Sequence, residues 1–447
     1  MTATDVPGPD AGPATEAAPP APTQAGPTPA QAAPMPAQAG PGETEAVPAA
    51  ELYTDGFAAD PYPTFARLRD ERPVCPVRSP RFDSYLISRY EDAKLALTDP
   101  RLSKDLYGPE RHYLRIFGPN SAGLNKNMLN ADPPEHTRLR RIVSQAFAPR
   151  RIEALRPRIA RAVDDLLDKI VPRGEADLMA DFAIPLPMTV ICDLLGIPPA
   201  DRDGVLDWTQ VIRTSGSSRR SPEEERAAVQ EVQLRLHHYL AELVQAKREQ
   251  PADDLISALI EACDQSGRLS ERELVTTTFL LLFAGHQTTA DFLGNAVVAL
   301  LTHPEQIDRL RADPALLPGA IEELLRFDGP LPVASPRIAA EDIEYQGVRI
   351  PRGSVVGVVL NAANHDPGYF AEPDRLDICR ERGPHLGFGH GIHYCLGVSL
   401  ARLEALLGLG ALLRRLPGLR LAVPAAELRR LPPASPFRGL LELPIRF

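Results

Sequence analysis

The most reactive grouping in this 447-residue chain is the run Phe388-Gly389-His390-Gly391-Ile392-His393-Tyr394-Cys395-Leu396-Gly397. Cys395 stands at the head of an apolar helical pattern over Leu396–Leu416. A helix N-terminus stabilises a thiolate through its dipole and its free N–H groups. Gly387, Gly389 and Gly391 let backbone approach a flat object closely. A thiolate on haem iron pushes electron density onto the metal and favours O–O cleavage. A lone cysteine in a glycine-rich loop is most often an inert buried thiol. Occupation of every special position in the ten-residue run is what points to a metal ligand. The other cysteines, Cys75, Cys192, Cys263 and Cys379, show no C-x-x-C spacing. In a reducing compartment they are expected as free thiols.

A second grouping is Ala284-Gly285-His286-Gln287-Thr288-Thr289, inside a long helical pattern. A threonine in a helix can bond back to the carbonyl four residues earlier and bend the helix. With Gly285 beside it, Thr288 could open a groove wide enough for O2 and a water. Gln287 carries an amide, which neither gains nor loses a proton near neutral pH. It can orient a water but cannot act as an acid–base relay.

Taken together, the run around Cys395 closely resembles the haem-binding signature of the cytochrome P450 family, in particular its soluble bacterial members. The resemblance covers about residue 51 to the end. It implies a mainly α fold with a small β region, a triangular helical domain whose long central helix lies over the haem. It implies Cys395 as the axial ligand of haem b, with Phe388, Gly389 and Gly397 against the cofactor. Ala284, Gly285 and Thr288 match the oxygen-activation motif, where an acid is usual at the position of Gln287. Two haem propionates need cationic donors. The resemblance assigns them His136 and Arg140, four apart on one helix face, together with Arg337 and His393. It also implies a buried charge cluster of Glu323, Arg326 and Arg375 on the proximal side.

Several elements must position these groups. Residues 1–50 are almost wholly Ala, Pro, Gly, Thr, Gln and Glu, too apolar-poor to offset ordering entropy. A disordered tail is expected there, with the haem-thiolate domain over 51–447. Tyr62–Glu71 reads as a helix and Val74–Ile87 as a strand pair. Prolines 133 and 134 open a helix at Glu135. Further helices are expected at Arg151–Ile170, Phe182–Leu195, Glu223–Arg248 and Leu255–Ala262. Ser270 and Glu273 form a capping box that starts the long helix to about Leu301. Pro304–Ala312 and Leu316–Arg326 follow, then short strands at Pro332–Ile338, Ile343–Ile350 and Val355–Leu360.

Composition excludes several classes. The net charge of −10 offers no basic field for nucleic acid. The most apolar run, Leu274–Ala284, is too short for a membrane span. No basic residue precedes Arg67, so no secretory or transit signal is read, and a cytoplasmic monomer is expected. The chain contains no dinucleotide fingerprint and no Fe–S cysteine set. The resemblance therefore implies electrons from NAD(P)H through a ferredoxin reductase and a ferredoxin, docked near Cys395, with Arg69, Arg72 and Arg402 as candidate cations. The family's pocket segments correspond to Leu124, Met128, Leu129, Phe283, Leu331, Val333 and Phe437. Their apolar character suits an apolar or mixed substrate. Hydroxylation of a polyketide, macrolide-like or other secondary metabolite is the expected reaction. An epoxidase or an oxidative coupling enzyme of the same family is the alternative, and a non-catalytic helper subunit the remote one.

Overall fold

The computed structural model describes residues 46–447 except 53, 79–82, 109–111, 113–123, 216–220, 267–268, 382 and 434. Most of the expected tail lies outside the described residues. The first ordered element, Val47–Pro48, pairs in parallel with Val77–Arg78 and so falls within the stretch assigned to the tail by composition. The described residues belong to one compact unit.

The fold is helical with a small mixed sheet. Six strands align in the order Val47–Pro48, Val74–Arg78, Ser84–Ile87, Val355–Val358, Arg337–Ala339 and Leu102–Ser103. Two come from the far end of the chain, so the sheet closes only when the C-terminal half docks on the N-terminal half. Ile343–Tyr345 and Val348–Ile350 form a separate hairpin, with Gln346 and Gly347 at positive φ in its turn.

The centre of the core is the helix Glu271–Leu301, buried along nearly its whole length. Its start is the expected capping box: Ser270 Oγ accepts from Glu273 N at 3.3 Å, and the Glu273 carboxylate accepts from Ser270 N at 2.7 Å. It packs on the helices Pro185–Leu195, Pro222–Glu249 and Val398–Arg415. A helix that is apolar all round must be enclosed.

The expected Arg151–Ile170 helix is two pieces, Pro149–Ala154 and Arg156–Ile170. Pro157 sits in the first turn of the second piece, where its missing N–H costs nothing. A helix over Arg202–Arg213 lies where none is expected. Its buried residues are Val205, Thr209 and Arg213, and Leu206, Trp208, Val211 and Ile212 pack half-buried against the core. The last helix starts at Val398 rather than Leu396. Cys395 therefore lies in the loop three residues ahead of it.

Candidate active site

The loop before Val398 is held by its own backbone. Cys395 N–H donates to the Phe388 carbonyl at 2.9 Å, Gly389 N–H to Leu386 at 2.8 Å and Tyr394 N–H to Gly391 at 3.0 Å. Gly389 and Gly391 sit at φ +73° and +74°, a region that side chains disfavour. A Cβ on Gly391 would also come within 2.9 Å of Thr98 Cγ2 and 3.1 Å of the Leu97 carbonyl. A Cβ on Gly397 would meet nothing within 4 Å, so the loop is open at that point. The Arg402 guanidinium covers the Phe388 ring at 5.1 Å. Burial pushes the Cys395 thiol up, against the opposing pull of the Gly397 N–H, Arg140 and Arg402. The expected lowering by a helix N-terminus does not hold for the free thiol, because the helix begins downstream and desolvation outweighs it.

Above this loop the basic groups converge. His136 and Arg140 lie one turn apart on the helix Glu135–Ser144, and the His136 ring stacks obliquely on His393 at 4.3 Å. Arg140 donates to the Tyr394 carbonyl at 2.5 Å. Arg337 is buried on its strand and donates to the Ser335 carbonyl at 3.3 Å. Burial pulls Arg337 down to about 10. Burial, then Lys104, His136, Arg337 and Arg140, hold His393 down to about 2. Both ring nitrogens of His136 and Nε2 of His393 are buried without a hydrogen-bond partner among the described residues. Buried polar groups are ordinarily paired, so this cluster fits an anion. Arg138 is set apart, in ion pairs with Glu135 and Glu273.

On the long helix, Ala284 is exposed and Thr288 half-buried, so these two face the open side together. Thr288 Oγ1 donates to the Ala284 carbonyl at 3.3 Å, the expected back-bond. Gly285 also has a packing role. A Cβ there would lie 2.7 Å from Ile191 Cδ1, so glycine lets the helix Pro185–Leu195 approach closely. Gln287 is fully buried on the neighbouring face. Its Nε2 donates to Asp291 Oδ2 at 3.0 Å. Arg213 Nη2 in turn donates to Asp291 Oδ1 at 2.6 Å and to the Leu440 carbonyl at 2.7 Å. A carboxylate thus lies one turn beyond the amide, in a buried pair that no periodicity announced. Burial raises the Asp291 carboxyl, and Arg213 and Gln287 oppose the shift.

Replacing Gln287 tests this arrangement. Gln287→Glu sets two buried carboxylates against one guanidinium. Both then have folded pKa values above the unfolded ones, and such groups stabilise least at high pH. The variant's melting temperature is expected to fall further below wild type at pH 8 than at pH 5. Equal losses at both pH values would place the side chain in solvent instead.

Glu323 and Arg326 form a buried bidentate pair at 2.8 and 2.9 Å. The third member is not Arg375. Its side chain is exposed and pairs with Glu372 at 3.1 Å, while its backbone carbonyl accepts from Arg326 and Arg380. Arg380 takes the expected place, with Nε at 3.0 and 3.2 Å from the Glu323 oxygens. Residues 371–380 form a loop, where side-chain direction follows turns rather than a helical period.

Of the expected pocket residues, Phe283 and Phe437 meet at 5.9 Å. Leu124 and Met128 are buried in the main core, and Leu129 is half-buried beside Met128. Leu331 and Val333 are half-buried just before Arg337, and Val333 bridges to Val359. Arg69 cannot be a docking cation, since it is buried and donates to the Ala362 carbonyl at 3.0 Å. Arg402 is part-exposed, in a bidentate pair with Glu322 at 2.8 and 2.6 Å.

Comparison with known proteins identifies the family. The family profile described as Cytochrome P450 matches residues 205–417. The chain is 46% identical over 412 residues to Cytochrome P450 107B1 of Saccharopolyspora erythraea, covering 90% of this chain and 98% of that protein. It is 41% identical over 387 residues to the mycinamicin IV hydroxylase/epoxidase of Micromonospora griseorubida, covering 85% and 94%. The structure of myxobacterial cytochrome P450 CYP267B1 with myristic acid superposes with a TM-score of 0.84 at 40% identity, covering 89% and 98%. The chain belongs to the cytochrome P450 family. It is a haem-dependent monooxygenase, an oxidoreductase that incorporates oxygen from O2. No helix among the described residues is long and apolar enough to cross a membrane.

Proposed function

We propose that this P450 hydroxylates a polyketide, macrolide-like or similar secondary metabolite, with Cys395 as the residue that would ligate the iron of haem b and a ferredoxin as electron donor. The observation that carries the cofactor placement is the buried basic cluster beside Cys395. His136 and His393 lack partners there, as they would if an anionic group belonged between them. The haem iron, once ligated by a thiolate, supplies the O–O cleavage and the oxidation.

The chain's own residues do the rest. Arg140, Arg337, His136 and His393 hold the cofactor's carboxylates. Thr288, on the open face, offers a hydroxyl that can release its bond to Ala284 and turn to O2. Gln287 carries no acid–base proton near neutral pH and so relays none, while its Oε1, without a partner among the described residues, is left to orient a water. Phe283 and Phe437 form an apolar wall that excludes water and seats an apolar substrate surface. Arg72 and Arg402 are the docking cations that remain of the three expected.

The relative named for both hydroxylation and epoxidation of mycinamicin IV favours the substrate class, and keeps epoxidation as the second reading. The test is titration of the ferric protein with a polyketide panel, following the Soret band, then product analysis with a ferredoxin and its reductase. A low-micromolar spectral shift and a product heavier by one oxygen are expected. Shifts only with fatty acids or small aromatics would overturn the substrate class.

A further inference from the structure

The basic cluster holds one member that neither the expected cofactor set nor the reading above includes. Lys104 follows the edge strand Leu102–Ser103 and is only 2% exposed. Lysines are almost never buried to this extent without a charged partner. Its Nζ donates to Ser335 Oγ at 2.7 Å and to the Pro336 carbonyl at 3.0 Å. Both acceptors are neutral. An ammonium carries a third donor, and that donor has no acceptor among the described residues. Asp132 is the carboxylate nearby, but it is already engaged. It accepts from Ser103 Oγ at 2.5 Å and from the backbone N–H of Lys104 at 2.9 Å. The Lys104 ammonium forms no ion pair with it.

Charge decides what is missing. Burial, then the Arg337 charge, hold the Lys104 ammonium well below the usual lysine range, a shift that a bound anion opposes. With it protonated, the cations are Arg140, Arg337 and Lys104, facing Asp132 as counter-charge. Two positive charges remain without an anion in a buried site, a costly arrangement unless paired. Without Lys104 only one would remain. Two carboxylates match the full set.

We infer that Lys104 is a further carboxylate-binding residue, which places its free N–H on a haem propionate beside Arg337. This inference rests on the cofactor placement proposed above. It assigns to Ser335 and the Pro336 carbonyl the task of aiming the ammonium. The segment 335–337 then delivers two cations, Arg337 directly and Lys104 by hydrogen bonds.

The experiment measures the rate at which haem leaves the ferric protein for excess apomyoglobin, alongside the melting temperature of the apoprotein. A hydrogen bond to a charged group is worth roughly a tenfold factor or more. Lys104→Met and the length-matched Lys104→Gln are each expected to release haem about tenfold faster, with Lys104→Arg near the wild-type rate. Substituting haem dimethyl ester, which has no carboxylates, should erase the difference between wild type and Lys104→Gln. Arg337→Met is measured beside them. If it too leaves haem release unchanged, the cofactor placement itself fails. If Arg337→Met accelerates release while Lys104→Gln only lowers apoprotein melting, the placement stands and Lys104 is purely a strut. A tenfold difference that persists with the ester would likewise overturn the inference.

Discussion

Cys395→Ala is expected to abolish the long-wavelength Soret band of the CO-bound ferrous protein, and Cys75→Ala, Cys192→Ala, Cys263→Ala and Cys379→Ala to leave it in place. The effect is all-or-none because that band reports thiolate ligation itself. Cys75, Cys192 and Cys263 are buried and Cys379 is exposed. Burial pushes the thiols of Cys75 and Cys192 up, the latter to about 12, so they stay protonated and inert. Cys395 is the cysteine whose surroundings include Arg140 and the open glycine loop. Its thiol is also raised, and iron binding must displace the proton, as metals do with coordinating thiols. A wild-type band at the position of histidine-ligated haem would refute the ligand assignment.

Glu323→Gln should cause the largest loss of stability. Its carboxylate accepts from Arg326, from Arg380 and from the Asp377 N–H at 3.1 Å, all with little or no exposure of the acid. Removing the charge leaves two guanidiniums against each other in the interior. Breaking a buried pair in this way costs about 3–5 kcal/mol. Arg375→Ala should cost no more than about 0.5 kcal/mol, the range of surface substitutions. Arg380→Ala should fall with Glu323→Gln. Urea denaturation of the three holoproteins separates them, and a large loss for Arg375→Ala would restore that residue to the cluster.

The long helix illustrates how far patterning reaches. Its start is set by Ser270 and Glu273, and its burial along most of its length by the apolar stretches Phe279–Ala284 and Ala296–Leu301, all local signals. Thr288 bonding back to Ala284 is local too, since both partners lie one turn apart. Gly285 is different. Its neighbour Ile191 is almost a hundred positions away, and nothing nearby marks it as a packing contact. The Gln287–Asp291 step could have been read from its spacing of four. Arg213, which completes it, lies 78 positions from Asp291 on another helix, and no linear spacing links the two.

The sequence by itself determined the chemistry and most of the frame: the cysteine loop, the long helix, the histidine–arginine turn at 136–140 and the order of helices and strands apart from the helix Arg202–Arg213. These depend on backbone preferences and short spacings that any fold must respect. Only the tertiary structure decided which cations meet. Arg380 rather than Arg375 closes on Glu323, Arg213 on Asp291, and Lys104 on the 335–337 segment. Burial removes the water that would otherwise screen each charge, so its partner is chosen by proximity in space, which loop and strand docking set and linear spacing does not.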